Sequence, residues 1–311
     1  MASLVLTNCT SRKSAGPRVE ALNADAWASV AGAARQWRAG VDKVSSLSPA
    51  ASVYQGRSMQ EAQSSARNLG AELWFVSAGL GLVHSEKPIP RYDLTLSSGP
   101  GSITRQLRAL GATPPDWWAA ITDGNGPGLA ELINRQPDDT VYLALPAPYL
   151  ALLSQELEAI SCSEDAQRLW IFTGAPGRRA LPGAIHPRAL PYDQRLELAG
   201  PAGTQSDFPQ RCLTHFIGLA LQRGVSAAAA ADAVERALAK QDMPERPNRR
   251  TVTDAEAISL IRKHWKDQSG QSSRLLRHLR SGLGVACEER RFRQLYHRVR
   301  EALALEQGPM R

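Results

Sequence analysis

Four short apolar runs, each closing on polar or turn-forming residues, constrain the fold of this chain more than any other feature. They are Leu4 to Thr7, ELWFVSA from Glu72, TVYLALP over Thr140 to Pro146, and RLWIFTG over Arg168 to Gly174. An aliphatic run of this length bounded by polar residues reads as a strand covered on both faces. Helical stretches separate the runs: an alanine-rich one over Ala26 to Arg38, SMQEAQSSARNLG ending at Gly70, and Tyr149 to Ile160. Strands alternating with helices predict an α/β fold, a three-layer sandwich around a mostly parallel central sheet. Residues 1–207 are expected to form this α/β domain and residues 208–311 a helical region, helical throughout 208–240. QDMPERPNRR, with two prolines and mixed charge, is the linker expected before a basic module at 246–311. RRALPGAIHPRALPYD is proline-rich and irregular, either a flap or a connector.

Hydrophobic residues make up 43% of the sequence, enough for a proper core, yet no run of about 18 apolar residues occurs. The N-terminus also lacks the order of a signal peptide, so a cytoplasmic chain without a membrane partner is expected. The four cysteines, Cys9, Cys162, Cys212 and Cys287, are scattered without a CxxC pair. Reduced structural thiols are expected, with no metal and no cofactor. No obligate protein partner is inferred.

The formal net charge is +7, and it is concentrated near the end of the chain. Residues 246–311 hold 15 Lys and Arg against 7 Asp and Glu, which leaves the remainder close to neutral. A cationic module on a neutral body suits a polyanion such as double-stranded DNA, because phosphate contacts release counterions. Three helical patterns carry this charge. TDAEAISLIRKHW starts at a Thr253 or Asp254 cap; SSRLLRHLRSGLG turns Arg274, Arg277 and Arg280 outward; CEERRFRQLYHRVREAL sets Arg290, Arg291, Arg293, Arg298 and Arg300 around an apolar stripe. Helix, helix, glycine turn and arginine-rich helix predict a helix-turn-helix-like module with the last helix against DNA. The ordinary alternative is a solvated helical surface.

Ligands of open α/β sheets bind outside the carboxyl ends of the strands. The first end offers Asn8, Cys9, Thr10, Ser11, Arg12 and Lys13; the second offers Ser77, the turn glycines Gly79 and Gly81, then Tyr92 and Asp93. Later ends offer Tyr149 and, in the irregular segment, His186. The GxG lacks the third glycine and helix of a dinucleotide fingerprint. Asp93, Asn8 and His186 are the candidates for one crevice, although Asp93 can equally be a turn cap and His186 a satisfied loop histidine.

LTNCTSRK, then VYQGRSMQ, SAGLGLV and RYDLTL, covering about the first third of the chain, carry a further reading. This series resembles the bacteriophage-replication-inhibition DNA glycosylases, an antiphage family with a uracil-DNA glycosylase-like fold. It is also similar in pattern to domains associated with tRNA-guanine transglycosylases. The resemblance implies excision of a modified base, glucosylated hydroxymethylcytosine, from phage DNA to leave an abasic site. The G-x-D-P-Y water-activating motif of the classical uracil enzymes is missing here, so no catalytic residue is carried over from them. With that activity, Asp93 would stabilise oxocarbenium charge or orient water, and Asn8, Arg12 or Lys13 would donate to the departing base. Tyr54, Tyr92 and Tyr149 would stack on a flipped base, and Gly56 with Arg57 at a helix start would hold phosphate. Two rivals remain: a base transglycosylase, and a DNA-binding regulator whose α/β domain senses a ligand without turnover.

Overall fold

The computed structural model describes residues 3–22, 27–96, 101–135, 137, 139–222, 224–244 and 249–306. The chain divides into two compact units, Met1–Pro244 and Glu245–Arg311. The first unit is an α/β fold around a five-stranded sheet. Ser3–Asn8 is its central strand, flanked in parallel by Glu72–Ser77 on one side and Thr140–Ala144 on the other. Leu169–Phe172 extends the sheet in parallel beyond Thr140–Ala144, and Gly81–His84 closes the opposite edge antiparallel to Glu72–Ser77.

Leu4 to Asn8 are buried without interruption. Since successive side chains leave a strand on opposite faces, an unbroken buried run requires cover on both. Helix Arg57–Leu69 packs on the Ser3–Asn8 and Glu72–Ser77 strands and against helix Phe208–Gly218, which also covers Thr140–Ala144 and Leu169–Phe172. Helix Pro114–Thr122 packs on helices Val30–Asp42 and Ala147–Leu152 and against the Gly81–His84 edge. Its Trp117 and Trp118 are buried, and Trp117 Nε1 donates to the Ala78 carbonyl at 2.6 Å.

Several boundaries differ from the sequence expectation. The first helix starts at Val30, where the Ser29 side chain accepts from the Gly32 amide, and runs on to Asp42. The expected helix over 149–160 is two, Ala147–Leu152 and Ser154–Ser161. Helicity over 208–240 is interrupted between Phe208–Gly218 and Ala227–Leu238, where Ala220 takes a positive φ of 49° and Ser226 begins a new helix as its cap. The compact α/β unit runs on through Pro244, past the expected boundary at residue 207, because Phe208–Gly218 is one of the layers covering the sheet. Part of the linker, residues 245–248, lies outside the described residues.

The second unit contains helices Asp254–Lys263, Ser272–Arg277 and Glu289–Glu306, with a wide helical turn over His278–Gly282. Arg250–Thr251 pairs in parallel with Val285–Ala286. The unit has its own core, in which Ile261, Leu275, Leu279, Phe292, Leu295 and Val299 meet. Trp265 stacks on Tyr296 at 5.1 Å between ring centroids.

Candidate functional site: a cleft at the sheet switch point

From the central strand the chain passes first to one neighbour, Glu72–Ser77, and only later to the other, Thr140–Ala144. The connections therefore diverge above the carboxyl ends of Ser3–Asn8 and Thr140–Ala144, and such a divergence opens a crevice. A cleft of about 560 Å³ occupies that position. Its walls come from Asn8 to Arg12, Gln55 to Ser58, Thr95, Pro146, Pro148, Tyr149, and Thr204, Ser206 and Asp207.

The glycine-free loop after the first strand owes its shape to pairing. Gln55 N donates to the Arg12 carbonyl and Ser14 N to the Val53 carbonyl, each at 3.0 Å, while Thr10 Oγ1 donates to the Arg12 carbonyl at 2.7 Å. Lys13 and Tyr54 form an antiparallel bridge. This pairing delivers Gln55 and Gly56 to the cleft, where helix Arg57–Leu69 begins. Gly56 has φ +111°, a region side chains rarely adopt, and no side chain caps the helix. The Met59 amide donates back to the Gly56 carbonyl at 3.2 Å, which leaves the Arg57 and Ser58 amides, and the positive end of the helix dipole, for solvent or a ligand at a wall that also carries Arg12.

Behind the cleft lies a buried polar cluster. Cys9 Sγ sits 3.2 Å from the Tyr149 hydroxyl, Tyr54 and Tyr92 share a hydrogen bond of 2.7 Å, and Tyr92 reaches Ser77 Oγ at 2.5 Å. Ser77 Oγ in turn accepts from the Gly79 and Leu80 amides, which fixes the turn that the glycine spacing announced. Lys13 is 8% exposed; its Nζ donates to the Thr10 carbonyl at 2.7 Å and lies 4.1 Å from the Tyr92 ring centre. Burial lowers the Lys13 pKa from its ordinary value. Burial likewise raises the hydroxyls of Tyr54, Tyr92 and Tyr149, so all three stay protonated donors at neutral pH.

Among the residues expected from the sequence, Asn8, Cys9, Ser11, Arg12, Gly56, Arg57 and Tyr149 line the cleft. Lys13, Tyr54, Ser77 and Tyr92 form the layer beneath it. Gly79 packs against the Tyr92 ring and accepts from Trp37 Nε1 at 2.7 Å, and Gly81 opens the edge strand. Asp93 does not line this cleft. It is exposed and paired with Arg18 at 2.5 Å, with both side chains more than two-fifths accessible. His186 is exposed on the 3₁₀ segment Gly183–Arg188 and does not line it either. The two residues expected to act together are thus placed differently: Asn8 in the cleft floor, Asp93 at the surface.

Asn8 itself is held rather than loose. Its Oδ1 accepts from Gln210 Nε2 at 3.0 Å and its Nδ2 donates to the Cys9 carbonyl at 2.9 Å. Gln210, buried on helix Phe208–Gly218, also donates to Thr7 Oγ1 at 2.7 Å and to the Ala144 carbonyl at 3.2 Å, joining both strand ends at the switch point. The fold adds Gln55, Ser58, Thr95, Thr204, Ser206 and Asp207, which sequence reasoning passed over. TQSD followed by FP carried a signal for the last of these, a capping box before a proline-started helix. Thr204 N donates to Asp207 Oδ1 at 2.6 Å, and the fully buried Arg211 holds the same oxygen at 3.1 Å through Nε.

Among the described residues no group of three or more His, Cys, Asp or Glu side chains could hold a metal ion, and no helix is long and apolar enough to cross a membrane. No protein-family model matches the chain, and no solved structure matches it. A curated relative, the phenylalanine–tRNA ligase alpha subunit of Thioalkalivibrio sulfidiphilus (strain HL-EbGR7), is 33% identical over 108 residues. That stretch covers 34% of this chain and 27% of the relative, so the chain spans about a quarter of the relative's length.

Proposed function

We propose that the chain is a DNA glycosylase that hydrolyses the N-glycosidic bond of a modified base, with the antiphage, uracil-DNA glycosylase-like character that its N-terminal motifs resemble. The observation that carries this reading is the switch-point cleft, where an uncapped helix start and Arg12 face hydroxyl-bearing walls and the Pro146–Tyr149 corner in a volume suited to one flipped nucleotide. In this reading Arg12, Arg57 and the helix start take phosphate, and Tyr149 with Pro146 and Pro148 forms the face for the base. The bond from C1′ to the base nitrogen breaks with its electron pair leaving on the base. Water then adds to C1′ and gives up a proton, and the departing base takes one up at the nitrogen that left, so that the products are a C1′ hydroxyl and the neutral base. Asp207 is the carboxylate lining the cleft among the described residues, so in this reading it, rather than Asp93, would meet positive charge on the sugar. The basic second unit, helix-turn-helix-like in its element order, would hold the duplex during base flipping.

The alternative of a ligand-sensing DNA-binding regulator draws support from a specific feature. Asp207 is engaged by Arg211 and by the Thr204 amide, and Asp93 by Arg18. Incubation with unmodified, hydroxymethylated and glucosyl-hydroxymethylated duplexes, followed by alkali, separates the two. Strand breakage confined to one modified duplex is expected, with Asp207→Asn losing at least a hundredfold in rate and Asp93→Asn less than threefold. Intact strands throughout, with tight duplex binding, would establish the regulator instead.

A further inference from the structure

The second unit divides its arginines into two populations. Arg280 donates twice to the Cys287 carbonyl, at 2.9 and 2.8 Å; Arg291 is bound to Asp254 and to the Val252 carbonyl; Arg250 pairs with Glu256, and Arg293 with Glu289. These cations stabilise the unit's own loops and helix ends. Arg274 and Arg277 on helix Ser272–Arg277, like Arg298 and Arg300 on helix Glu289–Glu306, are exposed and engaged by no side chain or carbonyl among the described residues; what sets the first two apart is that they line hollows in the surface. No acidic residue occurs anywhere between Asp267 and Glu288.

The surface around this pair is concave on both sides. One hollow of about 680 Å³ is lined by Arg277 with Arg280, Arg293 and the hydroxyls of Ser272 and Ser273, and it includes Glu289, already matched to Arg293. A second, of about 550 Å³, is lined by Arg274 and Arg277 with Gln268, His278, Ser281 and Gly282. Arg277 therefore stands on the ridge between them. The wide turn His278–Gly282 shapes the second hollow, and wide helical turns of this kind recur at binding sites. His278 packs against His264 in a tilted pair, with ring centroids 4.5 Å apart, and its Nε2 is buried without a partner among the described residues. Residues three apart on a helix have Cβ atoms about 5–6 Å apart, within reach of neighbouring phosphates on a strand.

We infer that the sugar-phosphate backbone of a nucleic acid crosses the Ser272–Gly282 segment, with Arg274 and Arg277 each taking a phosphate, in preference to the long last helix, whose free Arg298 and Arg300 line neither hollow. The inference rests on the nucleic-acid partner in the reading above, and on charge complementarity between phosphate and two unpaired guanidinium groups beside hollows whose one carboxylate, Glu289, is already matched by Arg293.

The test uses the full chain and fluorescence anisotropy with a labelled 20-base-pair duplex, the matching single strand and the matching RNA, titrated with salt. Arg274→Ala/Arg277→Ala removes two exposed cations from a helix that tolerates alanine. The plot of log affinity against log salt should lose about 1.8 units of slope on duplex DNA, or about 1.4 on a single strand. Arg298→Ala/Arg300→Ala, the same charge loss on the exposed face of helix Glu289–Glu306, should change the slope by less than about half a unit. Equal losses in both double variants, an unchanged slope in the first, or no binding by the wild type to any of the three ligands would overturn the assignment. A chain that produces no abasic sites yet shows the slope difference overturns the glycosylase and supports this surface.

Discussion

Gln210 was invisible in the sequence, one amide in a helical pattern, and it holds the floor of the cleft. Its Nε2 serves Thr7, Asn8 and Ala144 at once, in a place with no exposure to solvent. A buried acceptor deprived of its donor costs more than a typical hydrogen bond contributes. Gln210→Met, close in shape and without a donor, should lower stability by about 1–3 kcal/mol in urea unfolding. Gln210→Glu, which sets a carboxylate against three acceptors, should lower it further at pH 7. Asn8 was legible as a polar residue at a strand end, yet its reading as a base-edge donor omitted this anchor, because periodicity shows that a residue lies at an end and not what faces it. Asp93 shows the converse. YDLTL put an acid beside a buried tyrosine, and strand-like alternation then sent Asp93 outward to Arg18 while Tyr92 and Leu94 went inward. Arg290, among the expected DNA contacts, has a side chain outside the described residues.

At the scale of elements, strands and helices followed from patterns of two and 3.6 residues, whereas the loops that shape the cleft followed from long-range pairing. The segment after Tyr92 is an example. Thr95 N donates to the Gly101 carbonyl at 2.9 Å and Ile103 N to the Thr95 carbonyl at 3.1 Å, which brings Thr95 to the cleft wall. Gly101 has φ +75°, and a Cβ there would stand 2.6 Å from the Asp93 carbonyl oxygen, a backbone atom that cannot yield alone. Gly101→Ala should therefore destabilise the chain by about 1–2 kcal/mol from conformation, with additional loss from the displaced backbone. The unfolding midpoint measures this, and an unchanged midpoint would show that the segment relaxes freely. The interruption between Phe208–Gly218 and Ala227–Leu238 belongs to the same class, since alanine-rich sequence favours helix on both sides and does not report where tertiary packing stops one.

For the whole molecule, two separate cores predict two unfolding events. The first unit buries residues from Leu4 to Leu238 in one cluster, and the second has a small one of its own around Ile261, Leu279 and Phe292. A domain of this size removes a smaller fraction of its surface from water and is correspondingly marginal. Calorimetry of the full chain should show two transitions, and deletion of residues 245–311 should remove the lower one and leave the upper; a single cooperative peak lost entirely on deletion would contradict this. The sequence by itself determined the alternation of strands and helices, the strand ends as the polar side of the sheet, the Thr253-capped start of helix Asp254–Lys263 and the basic character of the last unit. All of these are local: each depends on residues within a few positions of one another and on the fixed periods of helix and strand. Tertiary structure alone decided which strand ends adjoin, which polar residues share the cleft, that Phe208–Gly218 belongs to the α/β unit, and which arginines are consumed by internal bonds. Those outcomes depend on contacts between residues as far apart as Asn8 and Gln210, and no local period encodes such a pairing.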